Sequence, residues 1–192
     1  MASSGEWADA VGEVVGEVDA VLAAVPPAGW QRPAAYVDWT CWRTAEHVAG
    51  VLARYAGQVV GRPRDHYVAF GLDTGRARSA AELREAVRVA GGLLAAAVRV
   101  ADPDAVGWHP HGMLRPAGFA AVGSAEALIH TYDIAAALGL PWIPAEELTR
   151  LILDAVFPAA GPGPTAELLL HQTGRAATTA RTPWTYTAAT RL

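Results

Sequence analysis

The sequence predicts an all-α fold, a bundle of four long helices followed by shorter ones. Three observations carry that expectation. Hydrophobic residues make up 52% of the 192 and charged residues 18%, a balance that supports a packed core. Alanine is abundant and the strict alternation of a half-buried strand is scarce, which favours helix. Apolar residues also recur at three- and four-residue steps, over stretches bounded by capping and breaking residues.

The first helix is expected over 5–25, where Trp7, Val11, Val14, Val18, Val21, Leu22 and Val25 make one stripe. Pro26 and Pro27 end it. Thr40 suits an N-cap, opening a second helix over 41–61 that Gly61 and Pro63 stop. Arg43, in place of an acid, leaves its capping box incomplete. A third helix starts at Ser79, with Glu82 as capping partner, and runs to about Ala101. Gly91 and Gly92 weaken its middle, and Asp102 and Pro103 close it. Residues 102–118 read as a long connection without regular structure, which is often functional.

A fourth helix follows from about Phe119 or Ser124 to Leu138, ended by Gly139 and Pro141. A fifth runs from Pro144 to Val156, with Glu146 and Glu147 in its first turn. A short helical piece is expected at Thr165–His171. Residues 1–175 read as one helical domain, and the Thr-rich stretch 176–192 as an extended or disordered tail.

Composition excludes several function classes. The net charge is −4, the pI about 5.8, and no basic block exists to neutralise phosphates, so nucleic acid is not an expected partner. No apolar run approaches the roughly 20 residues of a membrane span. The acidic N-terminus lacks a basic n-region and is not a secretory signal. The single cysteine, Cys41, has no internal disulfide partner, which fits a reducing, cytoplasmic compartment.

The chemistry concentrates in the fourth helix, GSAEALIHTYDIAAALG. Glu126 and His130 are four apart, so a helix puts both on one face, and Asp133 flanks it. Such a pair alone is often a solvated contact. His47, on the second helix among Val48, Val51, Leu52 and Tyr55, strengthens the pattern, although a core histidine bonded to a carbonyl has the same signature. Facing helices of a bundle can converge such side chains on one interior point. Two imidazoles and a carboxylate suit Zn²⁺, and also Ni²⁺, Co²⁺ or Fe²⁺, and three protein ligands leave a coordination position open.

Three segments carry a family resemblance. WTCWRTAEHVAG at 39–50 resembles the W-[ST]-x6-H-L-x-G segment of the DinB/YfiT-like superfamily. GSAEALIHTYDIAAALGLPW resembles its E-x-x-x-H-x-x-D-x-x-x-A-L-G segment, and LLLHQTGRA the L-L-x-x-x-T-G-R of the mycothiol-dependent maleylpyruvate isomerase branch. The resemblance implies a four-helix bundle with a crossover connection, and His47, Glu126 and His130 as ligands of a divalent metal. It further implies a low-molecular-weight thiol, mycothiol-type, as co-substrate. The isomerases themselves are similar to two-domain proteins, and 192 residues leave no room for that second domain, so maleylpyruvate isomerisation is not carried over as the specific reaction.

Asp133 is the candidate to hold the other ring nitrogen of a ligating histidine. Trp108, His109, His111 and Met113, with Phe119, are candidates for the rim of a substrate pocket, and Arg175 for a carboxylate, a helix end or an anionic ligand. Trp39 and Trp42 are expected in the core, Cys41 buried and inert, and His66 and His171 at the surface. The preferred reading is a metal-dependent thiol S-transferase or isomerase acting on an electrophilic small molecule, with no general base nameable from sequence. A metal-dependent hydrolase and a non-catalytic metal-binding stress or interaction bundle are the alternatives.

Overall fold

The structure, a computed structural model, describes residues 2–175. It is all-α apart from one small hairpin. Helix α1 spans Ser4–Ala24, α2 Cys41–Gly61, α3 Ala80–Val100, α4 Pro116–Leu138, α5 Glu146–Val156 and α6 Thr165–Gln172. The expected tail, 176–192, lies outside the described residues.

The caps follow the side-chain chemistry. Ser3 and Glu6 close a full capping box on α1, with Glu6 N donating to Ser3 Oγ at 3.2 Å and Ser3 N to the Glu6 carboxylate at 2.7 Å. Thr40 Oγ1 accepts from Arg43 N at 3.1 Å to start α2, and Ser79 Oγ accepts from Glu82 N at 3.2 Å to start α3. Glu82 reaches back to Arg78 N rather than to the cap residue itself. Gly139, at φ 67°, ends α4 in the left-handed conformation.

Helix α1 packs on α3 and α4, and α2 packs on the same two. The bundle order is therefore α1, α3, α2, α4, and the segment from α1 to α2 crosses between non-neighbouring helices, the expected crossover. Asp19 against Arg84 and Arg88, and Asp9 against Arg99, show that α1 and α3 run antiparallel. Helix α4 is buried on nearly every face, which its largely apolar composition favours, and Glu126, His130 and Asp133 are the ionisable exceptions. Helices α5 and α6 close against its C-terminal half through α5.

The structure corrects three boundaries. The connection 102–118 is not irregular: Gly107–His109 (β1) and Gly112–Leu114 (β2) form an antiparallel hairpin, with Gly112 at φ 126° in its turn. Three-residue strands are too short to leave a periodic signal. Helix α4 starts at Pro116, earlier than Phe119, because proline at the first helical position lacks only an N–H that would be orphaned anyway. Helix α5 starts at Glu146 instead of Pro144.

Candidate metal centre

Helices α2 and α4 run antiparallel, so His47 meets Glu126 and His130 at one level while Tyr55 meets Phe119 two turns away. The structure brings the three expected ligands together. His47 Nε2 lies 3.4 Å from Glu126 Oε2, and His130 Nε2 lies 3.2 Å from the same oxygen. One ligand atom from each residue falls within 4.8 Å of the others. The imidazoles stand nearly perpendicular, with ring centres 4.7 Å apart. Three lone-pair-bearing atoms aimed at one point repel one another unless a proton or a cation sits among them, so the donor set fits a divalent ion.

The electrostatics fit as well. Burial alone would push the Glu126 carboxyl up, but hydrogen bonds and charge from His130 and His47 outweigh it and hold it down at about 2. Burial opposes the charged form of His130, yet Asp133 and Glu126 raise its pKa above the ordinary value.

Behind His130 stands a second layer. Asp133 Oδ2 is 3.0 Å from His130 Nδ1, which fixes the ring with Nδ1–H turned to the carboxylate and Nε2 turned to Glu126. Arg175 grips the other side of Asp133, with Nε donating to Oδ1 at 3.1 Å and Nη2 to Oδ2 at 2.8 Å. Arg175 Nη1 also donates to the Thr173 carbonyl. Asp133 thus lies beside the ring nitrogen of His130 that faces away from Glu126. Arg175 does not line a pocket: it is buried and committed to Asp133.

The remaining candidates divide. Trp108, His111 and Met113 lie half-buried on the hairpin. His109 is buried, not at a rim. Its Nδ1 accepts from His111 N at 3.2 Å, so Nε2 carries the proton and donates to the Tyr55 hydroxyl at 3.2 Å. Trp39 is not a core residue: it is 37% exposed and its ring leans on both His47 and His130, at 4.9 and 5.8 Å. Trp42, half-buried, packs edge-on against Trp30. Cys41 is buried, with its thiol pushed up by burial, and His66 and His171 are exposed, all as expected.

Sequence reasoning missed Gln58 and Tyr67. Gln58 is fully buried and donates to the Trp108 and His66 carbonyls while accepting from Val68 N. It ties both the hairpin and the 62–78 connection to α2. Tyr67, held by this tether, packs edge-on against Trp108 at 5.1 Å. Burial pushes its phenol up, Arg54 opposes that and Glu126 adds to it, so the hydroxyl stays protonated near the triad. Glutamine in a helix gives no sequence signal of burial.

The family whose model describes the mycothiol maleylpyruvate isomerase N-terminal domain matches residues 11–135. The chain belongs to that family. Through it the chain joins the DinB/YfiT-like superfamily, and the all-α bundle is of that type. The match takes in His47, Glu126, His130 and Asp133, and ends before α5, α6 and Arg175. No curated protein and no solved structure matches the chain. Among the described residues no helix is long and apolar enough to cross a membrane.

Proposed function

We propose that this domain is a divalent-metal enzyme of thiol chemistry, a mycothiol-type S-transferase or isomerase, with His47, Glu126 and His130 as its metal ligands. The observation that carries the reading is the convergence of those three side chains, from two distant helices, within 4.8 Å. Membership of a family described by mycothiol supports the thiol. Zinc is the ion best suited to a two-imidazole, one-carboxylate set.

A divalent ion held there supplies the Lewis acidity that lowers the pKa of a bound thiol and yields thiolate at neutral pH. The protein's own residues do the rest. His47 and His130 offer Nε2, and Glu126 balances charge with a carboxylate that stays ionised. Asp133 holds the His130 ring in its working orientation. Trp39 shields one side of both imidazoles from water. Thiolate adding to an activated C=C bond opens the π bond and leaves the electron pair on the neighbouring carbon. Uptake of a proton there keeps the sulfur in place, giving transfer, whereas rotation about the new single bond and expulsion of the thiolate gives cis–trans isomerisation. The buried thiol of Cys41 sits apart from this chemistry and suits a reducing cytoplasm.

Metal analysis of the purified protein tests the reading. One equivalent of metal is expected, lost in His47→Ala and Glu126→Gln. Mycothiol is expected to raise the melting temperature of the loaded protein only. A protein without stoichiometric metal, or turnover that needs no thiol, overturns it; the second result would favour a hydrolase.

A further inference from the structure

Helix α2 carries more than His47 on the face that meets Glu126 and His130. Positions 47, 50 and 54 lie on one face, because three and seven residues along a helix return to nearly the same side. Gly50 leaves that face bare: a Cβ built there would meet nothing within 4 Å. Arg54 stands at the far end, roughly 10 Å from His47 at about 1.5 Å per residue. Its guanidinium lies over the Tyr67 ring, 5.1 Å from the centroid. It makes no ion pair among the described residues, as is also true of Arg32, Arg62, Arg64, Arg78 and Arg150, but among those residues Arg54 alone is stacked on an aromatic ring. Tyr67 is itself anchored, packed on Trp108 and carried by the segment that Gln58 clamps. So Arg54 is an exposed charged fork stacked on an anchored ring, without an ion-pair partner among the described residues, on the helix face that carries His47.

We propose that Arg54, stacked on Tyr67, is an anion subsite that takes the carboxylate of a small molecule whose other end lies at the metal triad. A guanidinium offers two parallel N–H donors to a carboxylate, and stacking on the phenol ring removes much of the ordering that such a contact otherwise requires. The Tyr67 hydroxyl, on the ring that Arg54 covers, can add a donor to the same anion. The subsite rests on the metal reading above and deepens it: it assigns a negatively charged group to the ligand and sets its distance from the metal.

A molecular ruler tests this. Cobalt-loaded protein is titrated with mercaptooctanoate and with the uncharged mercaptooctanol. The thiolate–cobalt absorption band reports arrival of sulfur, and calorimetry gives affinity. The acid is expected to bind about fivefold more tightly than the alcohol, the return of one well-placed, partly exposed ion pair. That preference is expected to vanish in Arg54→Gln and to survive in part in Arg54→Lys, with metal content and alcohol binding unchanged. Mercaptoacetate, too short to reach, is expected to be indifferent to Arg54. Filling the sulfur position with mercaptoethanol and then comparing octanoate with octanol separates the carriers. A retained preference assigns the carboxylate to the second reactant, and a lost one assigns it to the thiol. Equal binding of acid and alcohol, or a preference that persists in Arg54→Gln, overturns the subsite while leaving the metal reading intact. Absence of the thiolate band removes the metal reading and the subsite with it.

Discussion

Asp133 carries a heavy polar load: it faces His130 on one side and the Nε/Nη2 edge of Arg175 on the other, with no exposure to water. Replacing it with asparagine keeps the shape but sets an amide against a guanidinium. Asp133→Asn is therefore expected to lower metal affinity by about 10- to 100-fold, since ring orientation is lost. Arg175→Met leaves Asp133 buried with one partner gone and is expected to destabilise the fold by about 3 kcal/mol, with a smaller loss of metal affinity. Chemical denaturation and metal competition measure the two effects separately; equal loss of affinity in both variants would contradict the assigned division of roles. At this scale the sequence was informative where helical periodicity governs. Glu126, His130 and Asp133 sit on one regular helix, so spacing puts them on a shared face, whereas His47, on another helix, was joined to them by the family resemblance. Trp39 was misread and Tyr67 missed because they lie on connections whose path depends on tertiary contacts, and for Arg175 a carboxylate partner was among the expectations but not which carboxylate. Trp39 reaches the imidazoles only because the segment before α2 folds back, with Ala35 N bonding the Asp133 carbonyl at 2.9 Å.

At the scale of elements, the paired glycines of α3 show how one composition hides two functions. Both look like weak points of a helix. Gly91 instead marks the close approach of α1: a Cβ there would lie 2.2 Å from Val15 Cγ2, and a β-branched side chain on a helix has little room to turn away. Gly92 is exposed and a Cβ there would meet nothing within 4 Å. Gly91→Ala is expected to cost about 1–3 kcal/mol through overpacking, and Gly92→Ala to stabilise by about 0.5–1 kcal/mol through helix propensity. Thermal or urea unfolding decides; matching signs for the two would refute the close α1–α3 contact. The hairpin has a comparable dependence on one residue. Gln58→Leu removes three buried hydrogen bonds at once and strands their backbone partners, and is expected to destabilise by about 2–3 kcal/mol. Tyr67 and Trp108 would then lose their fixed place, and Arg54 with them, so the acid-over-alcohol preference should fall alongside stability. Neither the hairpin nor its tether was legible in the sequence, because a three-residue strand has no period to detect and its order comes from α2.

At the scale of the whole molecule, metal, proton and fold are linked. Without metal, the triad is stabilised by a proton on His130, whose pKa is raised in the fold. A raised value means the stabilisation is fully present below the unfolded value of about 6.5 and is lost as pH rises through the folded one. The Glu126 contribution has the opposite sense: its pKa is lowered to about 2, so its stabilisation is present above the unfolded carboxylate value and fails only in strong acid. The metal-free protein is therefore expected to melt at progressively lower temperature as pH rises above about 6.5. Under the proposed ligation zinc would take the place of that proton, so the gain from adding it should grow over the same interval, in which ligation would no longer have to expel a proton. With metal at about a thousand times its dissociation constant, linkage contributes about 4 kcal/mol, or roughly 10 °C in a chain of this size. Differential scanning calorimetry with chelator and with zinc, across that pH range, should show two curves that diverge upward in pH. Parallel curves would mean that the proton and the ion do not compete for one place, and the ligand role of His130 would have to be given up.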